Sequence, residues 1–527
     1  MIKTDICLPI NYNGETIKEA LTSYLPIDKS EILDVEIVSR TLNLVKDQEP
    51  TYKCTVAFKT SADKESGLLK MRKRVFPYSK ERFEARAVKM NSRPIVVGAG
   101  PCGLFAALAL AEAGAMPIIL ERGSSVGERH KAINSFNITG ILDTECNVQF
   151  GEGGAGAYSD GKLKVGSMDK YKRRVLEEFI DCGATEDILY SKTAHLGTDK
   201  LPGIIENLRN KIISLGGEFH FNTRLDDLKI KSGRLVSVRA TSNGETVEYE
   251  ASEIVLAIGH SARDTIEMLY NKGLPMTAKG FGVGVRIEHS REYINGIVYR
   301  EHAAKIQETA SYHLVTHLKN GRSVYSFCMC PGGEVVAATG EVGAVVTNGM
   351  SEFSRMADNS NAALLVSVTP SDFGSDSPLA GIEFQRKIER RTFSLTEKYK
   401  APCQRLEDLL EGNSPKRLGE IKPSYKRGTE LIGVGEYLPD YVVESLRESI
   451  RDFDDWLPGY NYADAVLTGP ETRTTSPIRI TRGESGEVLG YAGIYPAGEG
   501  AGYAGGIVSS ATDGLRIAEK LIEKYNA

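Results

Sequence analysis

The chain has 527 residues, 41% of them hydrophobic and 26% charged, with a formal net charge of −5. That length calls for two or three domains with ample core, and the mildly acidic balance, pI near 6.0, argues against a nucleic-acid protein. The 53 glycines exceed the usual ~7% share. Their clusters at 98–103, 151–156 and 498–506 are where backbone is expected to run close to a bound group.

The first residues, MIKTDICLPINYNGETIKEA, lack a basic stretch followed by an apolar one and do not read as a signal peptide. No apolar run approaches the ~20 residues that span a bilayer, so a cytoplasmic protein is expected. Of the eight cysteines only Cys328 and Cys330 are close, and no metal-ligand spacing appears. Residues 1 to about 60 read as a small α+β unit: strands in DICLPI, ILDVEIVSRTLNLV and TYKCTVAFKT, a helix in ETIKEALTSYL. The basic run from Lys70 to Met90 reads as a solvated linker or helix, with an anion-attracting patch as the sharper alternative.

From Pro94 the pattern becomes strand (PIVVGAG), small-residue helix (LFAALALAEAGA) and strand (MPIILERG), a β-α-β unit. A helix follows in KLPGIIENLRNKIISLGG. Strands follow in EFHFNTRLDDLKI, RLVSVRATS, ETVEYE and EIVLAIG. The middle is mixed, with strands GFGVGVRIEH and SVYSFCMC and a helix in DYVVESLRESIRDFDDWL. The last segment is strand, glycine turn and a long amphipathic helix.

In the β-α-β unit, Gly98 permits the tight turn, Gly100 lets a pyrophosphate approach the backbone, and Gly103 lets the helix pack on the strand. The helix N-terminus then faces the phosphates. Glu121 ends the second strand, where a carboxylate accepts from ribose hydroxyls and disfavours a 2′-phosphate. NAD and FAD remain. Three later segments decide for FAD, because an extended dinucleotide needs distant returns of the chain. They are NVQFGEGGAGAYSDGKL with Gly153 and Gly154, EIVLAIGHSARDT with Ala257 and Gly259, and GIYPAGEGAGYAGGIVSS with Gly498, Glu499 and Gly506. The helix opened by the last segment is expected to stabilise charge at the flavin edge.

These strings resemble the glutathione-reductase-like FAD oxidoreductases. They resemble more closely a group of uncharacterised bacterial FAD-dependent dehydrogenases, or NAD(P)/FAD-dependent oxidoreductases, with a small N-terminal domain and a distinctive FAD-dependent C-terminal domain. The similarity runs over about 93–520, through RPIVVGAGPCGLFAALALAEAG, LAIGHSARDT, FGVGVRIEH, YSFCMCPGGEVV, LAGIEFQR, ETRTTSPIRI and GIYPAGEGAGYAGGI. The group more often has Ala at Cys102 and Thr-Phe at Ala157-Tyr158. The resemblance implies pyrophosphate contacts at Gly98, Gly100, Pro101 and Gly103, and a ribose contact at Glu121 with Arg122 and Arg129 near the phosphates. It also implies an adenine contact near Leu225 and flavin-side contacts at Gly498, Glu499, Gly506 and Ile507. It implies no substrate.

No second nucleotide fingerprint is visible, so a nicotinamide, NAD(P)H, is expected at most as a transient electron donor. Cys328 and Cys330 near a flavin suit a catalytic thiol, although a pocket-lining loop is the blander reading of a C-x-C. Arg473, with Arg286, His289 and Arg479, offers a fork for a carboxylate substrate against the plainer salt bridge. Tyr158 and Tyr503 flank glycine loops and are candidates to cover the flavin.

The expected fold is α/β: a Rossmann-like, glutathione-reductase-like FAD domain from 91–285 and 470–527, an inserted mixed α+β substrate domain at 286–469, and a small N-terminal α+β domain at 1–90. The expected function is an FAD-dependent oxidoreductase, dehydrogenase or reductase, acting on a small molecule through flavin hydride transfer. The alternatives are an NAD-dependent dehydrogenase and a flavin-bound docking or RNA-associated module without catalysis.

Overall fold

The computed structural model describes residues 1–71, 74–163 and 166–526. The N-terminal unit is a four-stranded antiparallel sheet in the order Asp34–Asn43, Thr51–Lys59, Ile2–Pro9, Phe76–Pro77, with the helix Gly14–Tyr24 across it. Along Ile2–Pro9 the residues Ile2, Thr4, Ile6 and Leu8 are buried and alternate with more exposed neighbours, which is what a half-buried strand demands. An extra helix, Ala62–Leu69, lies just before the basic run. That run forms no helix among its described residues, and residues 72–73 lie outside them. Phe83 anchors it by inserting into the main core.

The centre of the molecule is a five-stranded parallel sheet ordered Ile494–Pro496, Ile254–Leu256, Ile95–Val97, Ile118–Leu120, Glu218–His220. Its inner strands are short apolar runs because both faces are covered. The helix Pro101–Glu112 buries every residue from Cys102 to Ala111, so no polar stripe survives on it. Small side chains let the final helix, Ile507–Asn526, come down on it: a Cβ on Gly514 would lie 2.2 Å from the Cys102 carbonyl oxygen. A separate antiparallel meander of Thr223–Lys231, Arg234–Ser242 and Glu245–Glu250 sits between the outermost strand and Ile254–Leu256 in chain order.

The remaining large sheet has seven strands, ordered Val315–His317, Ser323–Cys330, Asn359–Val368, Phe281–Ser290, Val466–Glu471, Ala401–Arg405, Thr429–Leu431. The helix Asp440–Trp456 packs its apolar face on it. Phe281–Ser290 and Val466–Glu471 are paired neighbours, so the expected boundaries at 285 and 469 each cut a continuous strand of this sheet. In the sheet both ends of FGVGVRIEH are buried, the charged end through hydrogen bonds. Among the described residues no helix is long and apolar enough to cross a membrane.

Candidate functional site

A long cleft runs along the carboxyl ends of the parallel strands and continues to the seven-stranded sheet. At its first wall the strand Ile95–Val97 turns at Gly98, whose φ is +102°, and a Cβ there would lie 2.3 Å from the Ala257 carbonyl oxygen. Gly100 caps the helix without a side-chain bond and Pro101 takes its first turn, so unpartnered N–H groups face the cleft. The helix Ile507–Asn526 also opens onto the cleft, through 505–510. Two positive helix ends therefore meet one space, which favours an anionic group. Gly103 lies behind this wall, where a Cβ would meet the Gly98 carbonyl oxygen at 1.8 Å.

Glu121 is buried beside the turn and accepts three backbone hydrogen bonds: from Ala99 on Oε2 (2.8 Å), and from Gly123 and Gly151 on Oε1 (2.9 Å each). A carboxylate has about four acceptor positions, so about one, on Oε2, is left for a ribose hydroxyl. Arg129 is fully buried and donates five hydrogen bonds to the carbonyls of Asn147, Val148, Gly151, Glu152 and Gly154. It knits the glycine loop and does not line the cleft; the phosphate contact expected of it is replaced by these carbonyls. Arg122 does line the cleft, yet its guanidinium is engaged by Glu145 and Asp264 and stacks on Phe150 at 4.1 Å.

At the far end the cleft is lined by Phe327, Cys328, Asn348, Glu471, Arg473, Glu499 and Lys162. Cys328 sits on a bulge of its strand with φ +40°, which turns it out of the alternation that buries Cys330. The Cys330 thiol donates to the Cys328 carbonyl at 3.2 Å, and Arg286 donates to that carbonyl at 2.9 Å. The Cys330 hydrogen bond, with the charges of Arg286 and Lys162, holds the Cys328 thiol below its ordinary value, while burial keeps Cys330 far above its own. Burial pushes the Glu471 carboxyl up to about 7 against the pull of Arg286. Burial likewise pushes Glu499 up to about 7, against Lys279. Lys162 donates to the Met329 carbonyl, and burial lowers its pKa. Burial and then Arg473 and Arg263 take His260 down to about 3, so it is neutral.

Of the residues expected to hold the cofactor, Gly98, Gly100, Pro101, Glu121, Arg122, Gly154, Leu225, Ala257, Gly259, Glu499, Gly506 and Ile507 come together along this cleft. Gly103, Arg129, Gly153 and Gly498 support it from behind: a Cβ on Gly153 would reach Ile205 at 2.4 Å, and the Gly498 N–H donates to Asp513 at 2.7 Å. Arg473 lines the cleft; its Nε and Nη2 bond Glu389, while its Nη1 has no hydrogen-bond partner among the described residues. Tyr158 packs under Arg129 at 4.8 Å, and Tyr503 packs between Arg479 and Arg482; neither lines the cleft. His289 bonds the Tyr460 carbonyl inside the sheet. Sequence reasoning did not single out Lys162, Gln149, Asn348 or Glu471. Lys162 and Glu471 lie within strings already recognised, as the penultimate residue of NVQFGEGGAGAYSDGKL and the first of ETRTTSPIRI.

These residues fit an extended flavin dinucleotide. Gly259 and Gly505 line the cleft with no heavy atom within 4 Å of a would-be Cβ, leaving a cradle that a side chain would fill. The Glu499 carboxyl faces the cleft with no hydrogen-bond partner among the described residues, as a group reserved for a ligand hydroxyl does. Among the described residues no cluster suits a metal ion.

Residues 280–474 match the family model described as "FAD-dependent protein, C-terminal domain-like". An uncharacterized protein of Clostridium beijerinckii is 44% identical over 530 residues, covering 99% of this chain and 98% of the relative. Among solved structures, L-proline dehydrogenase from P. horikoshii aligns with TM-score 0.36 at 11% identity, over 84% of this chain and 95% of that one. The E. coli quinol fumarate reductase FrdA E245Q mutant aligns with TM-score 0.35 at 13% identity, over 85% and 71%. Likenesses of that size carry no functional assignment.

Proposed function

The chain belongs to the family of FAD-dependent oxidoreductases that carry this C-terminal domain and include the C. beijerinckii protein, and from that footing we propose how it holds and uses its FAD. The pyrophosphate is assigned to the helix N-terminus that opens at Gly100 and Pro101, reached past Gly98, and the adenosine half to the free position on Glu121 and the backbone at Leu225. Glu499 takes a ribityl hydroxyl, and the helix end at Gly506 and Ile507 takes the electron-rich edge of the ring. The meander between the parallel strands supports the glutathione-reductase-like subclass.

Bound FAD supplies two-electron transfer to or from a small-molecule substrate. The chain supplies the environment and the proton. Cys328 presents to the ring end of the cleft a sulfur whose thiolate form is favoured by the Cys330 hydrogen bond and the charges of Arg286 and Lys162, with Cys330 and Arg286 positioning it. Glu471, pushed up to about 7, holds or releases a proton at its carboxyl in the working pH range. When the substrate is the one reduced, a transient NAD(P)H supplies the two electrons that FAD passes on; when the substrate is oxidised, it supplies them itself and an external acceptor takes them from the flavin. The observation that carries this reading is one continuous cleft joining Glu121 to Cys328 past the unpartnered Glu499 carboxyl.

The test is purification followed by anaerobic mixing with NADH, NADPH and a library of small acids, reading flavin absorbance. Yellow protein whose flavin is bleached by a donor and restored by an acceptor is expected. Colourless protein would support the NAD-dependent alternative, and flavin that no donor reduces would support a non-catalytic module.

A further inference from the structure

A second cavity of about 290 Å3 adjoins the cofactor cleft, and Lys162 and Cys328 line both. That size is near the low end of the ~300–1,000 Å3 common for small-molecule pockets. Its other walls carry Lys192, Arg355, His313 and the hydroxyls of Thr193, Ser311 and Ser326, and among the described residues no carboxylate lines it. The Arg355 charge is matched by Asp160, which it grips with Nε at 3.0 Å and also through Nη2. Lys162 and Lys192 make no ion pair among the described residues, and Lys162 uses one of its three donors on the Met329 carbonyl. Two ammonium groups outside any ion pair among the described residues, beside hydroxyl donors, form a place for an anion.

The cavity is also held in shape from outside. Arg40 of the N-terminal sheet accepts from the Lys192 N–H at 3.2 Å and donates its own N–H to Tyr190 at 2.8 Å, which fixes the wall carrying Lys192 and Thr193. Tyr52 donates to Glu308 at 2.9 Å and His302 meets the Val45 carbonyl at 3.2 Å, which fixes the segment leading to Ser311 and His313. Both walls thus hang on the small N-terminal domain.

We propose that this second cavity seats the substrate, that the substrate is a small carboxylate, and that Lys162 and Lys192 are its cationic partners in a frame held by the N-terminal domain. The proposal rests on the FAD reading above and places the substrate beside the ring end of the cofactor cleft, where Lys162 and Cys328 line both spaces.

The test is titration of flavin-loaded protein with benzoate and succinate, and with neutral benzamide as control, followed by the flavin difference spectrum. The expected result is saturable binding of at least one carboxylate, weakened tenfold or more in Lys162→Gln and in Lys192→Gln, with benzamide inactive. Unchanged affinity in both variants, equal binding of benzamide, or no binding of either carboxylate to flavin-loaded protein would overturn the proposal. Lys192 is exposed, so its variant reports on binding without a folding defect. Protein that purifies without FAD would instead refute the earlier reading. Calorimetry with the same probes and variants then decides the cavity separately.

Discussion

Replacing Glu121 by Ala removes the shared acceptor of three backbone N–H groups, those of Ala99, Gly123 and Gly151. These groups join the nucleotide turn, the end of the second strand and the glycine loop, so the carboxylate ties the cleft together before any ligand arrives. A hydrogen bond to a charged group contributes ~1.5–3 kcal/mol. Water entering from the cleft side satisfies part of what is lost, which leaves a cost of about 3 kcal/mol, a large share of the ~5–15 kcal/mol that stabilises a domain. For a unit of ~150–250 residues that is a fall in Tm of roughly 6–12 °C. Glu121→Gln costs less, about 1–3 kcal/mol, because one amide oxygen still serves Gly123 and Gly151 while the NH2 opposes the Ala99 N–H. The assay is thermal unfolding of FAD-stripped protein together with flavin content of the same variants. If stripped Glu121→Ala unfolds at the wild-type temperature, the tying role is wrong; if its flavin content is unchanged, the ribose contact is wrong.

Gly98→Ala should give little soluble, flavin-loaded protein, since its Cβ would press on backbone at 2.3 Å with φ at +102°; normal yield and full flavin would contradict this. Arg129→Lys keeps the charge but has three donors for five carbonyls, so about 2–4 kcal/mol is lost and residues 147–154 should exchange amide hydrogens faster. Glu499 has a folded pKa of about 7, above its unfolded value, so its protonated form favours the fold at low pH and that stability fades as pH rises through about 7. FAD-stripped Glu499→Gln should therefore lose this fall, with Tm exceeding wild type most above about pH 7; parallel pH profiles would refute it. Cys328 should be alkylated by iodoacetamide at lower pH than an ordinary thiol, and Cys330→Ala should move that midpoint upward because the Cys330 hydrogen bond is the largest cause of the shift. An unmoved midpoint would assign the shift elsewhere.

The β-α-β unit was legible because its signals are local. A turn at Gly98, a slim helix and an acid at Glu121 lie within one stretch, and each is needed for backbone reasons any chain would share. The parallel strands Ile254–Leu256 and Ile494–Pro496 were legible for the same reason, as short apolar runs ending in glycine. The pairing of Phe281–Ser290 with Val466–Glu471 was not, since the partners are distant in sequence and strand pairing is a long-range choice.

For the site, residue identity alone determined which atoms are available: glycines where nothing else fits, carboxylates at Glu121 and Glu499, thiols at Cys328 and Cys330. Only the tertiary structure decided how those atoms are used. Arg129, Arg122 and Arg473 look alike as free cations in the sequence, yet carbonyls hold the first and carboxylates the other two. Lys162 looks unremarkable, yet among the described residues it stands without an ion pair, between two cavities. The reason is electrostatic: a buried charge has to find its partner, and the partner comes from whichever segment the fold brings near, which no local pattern records.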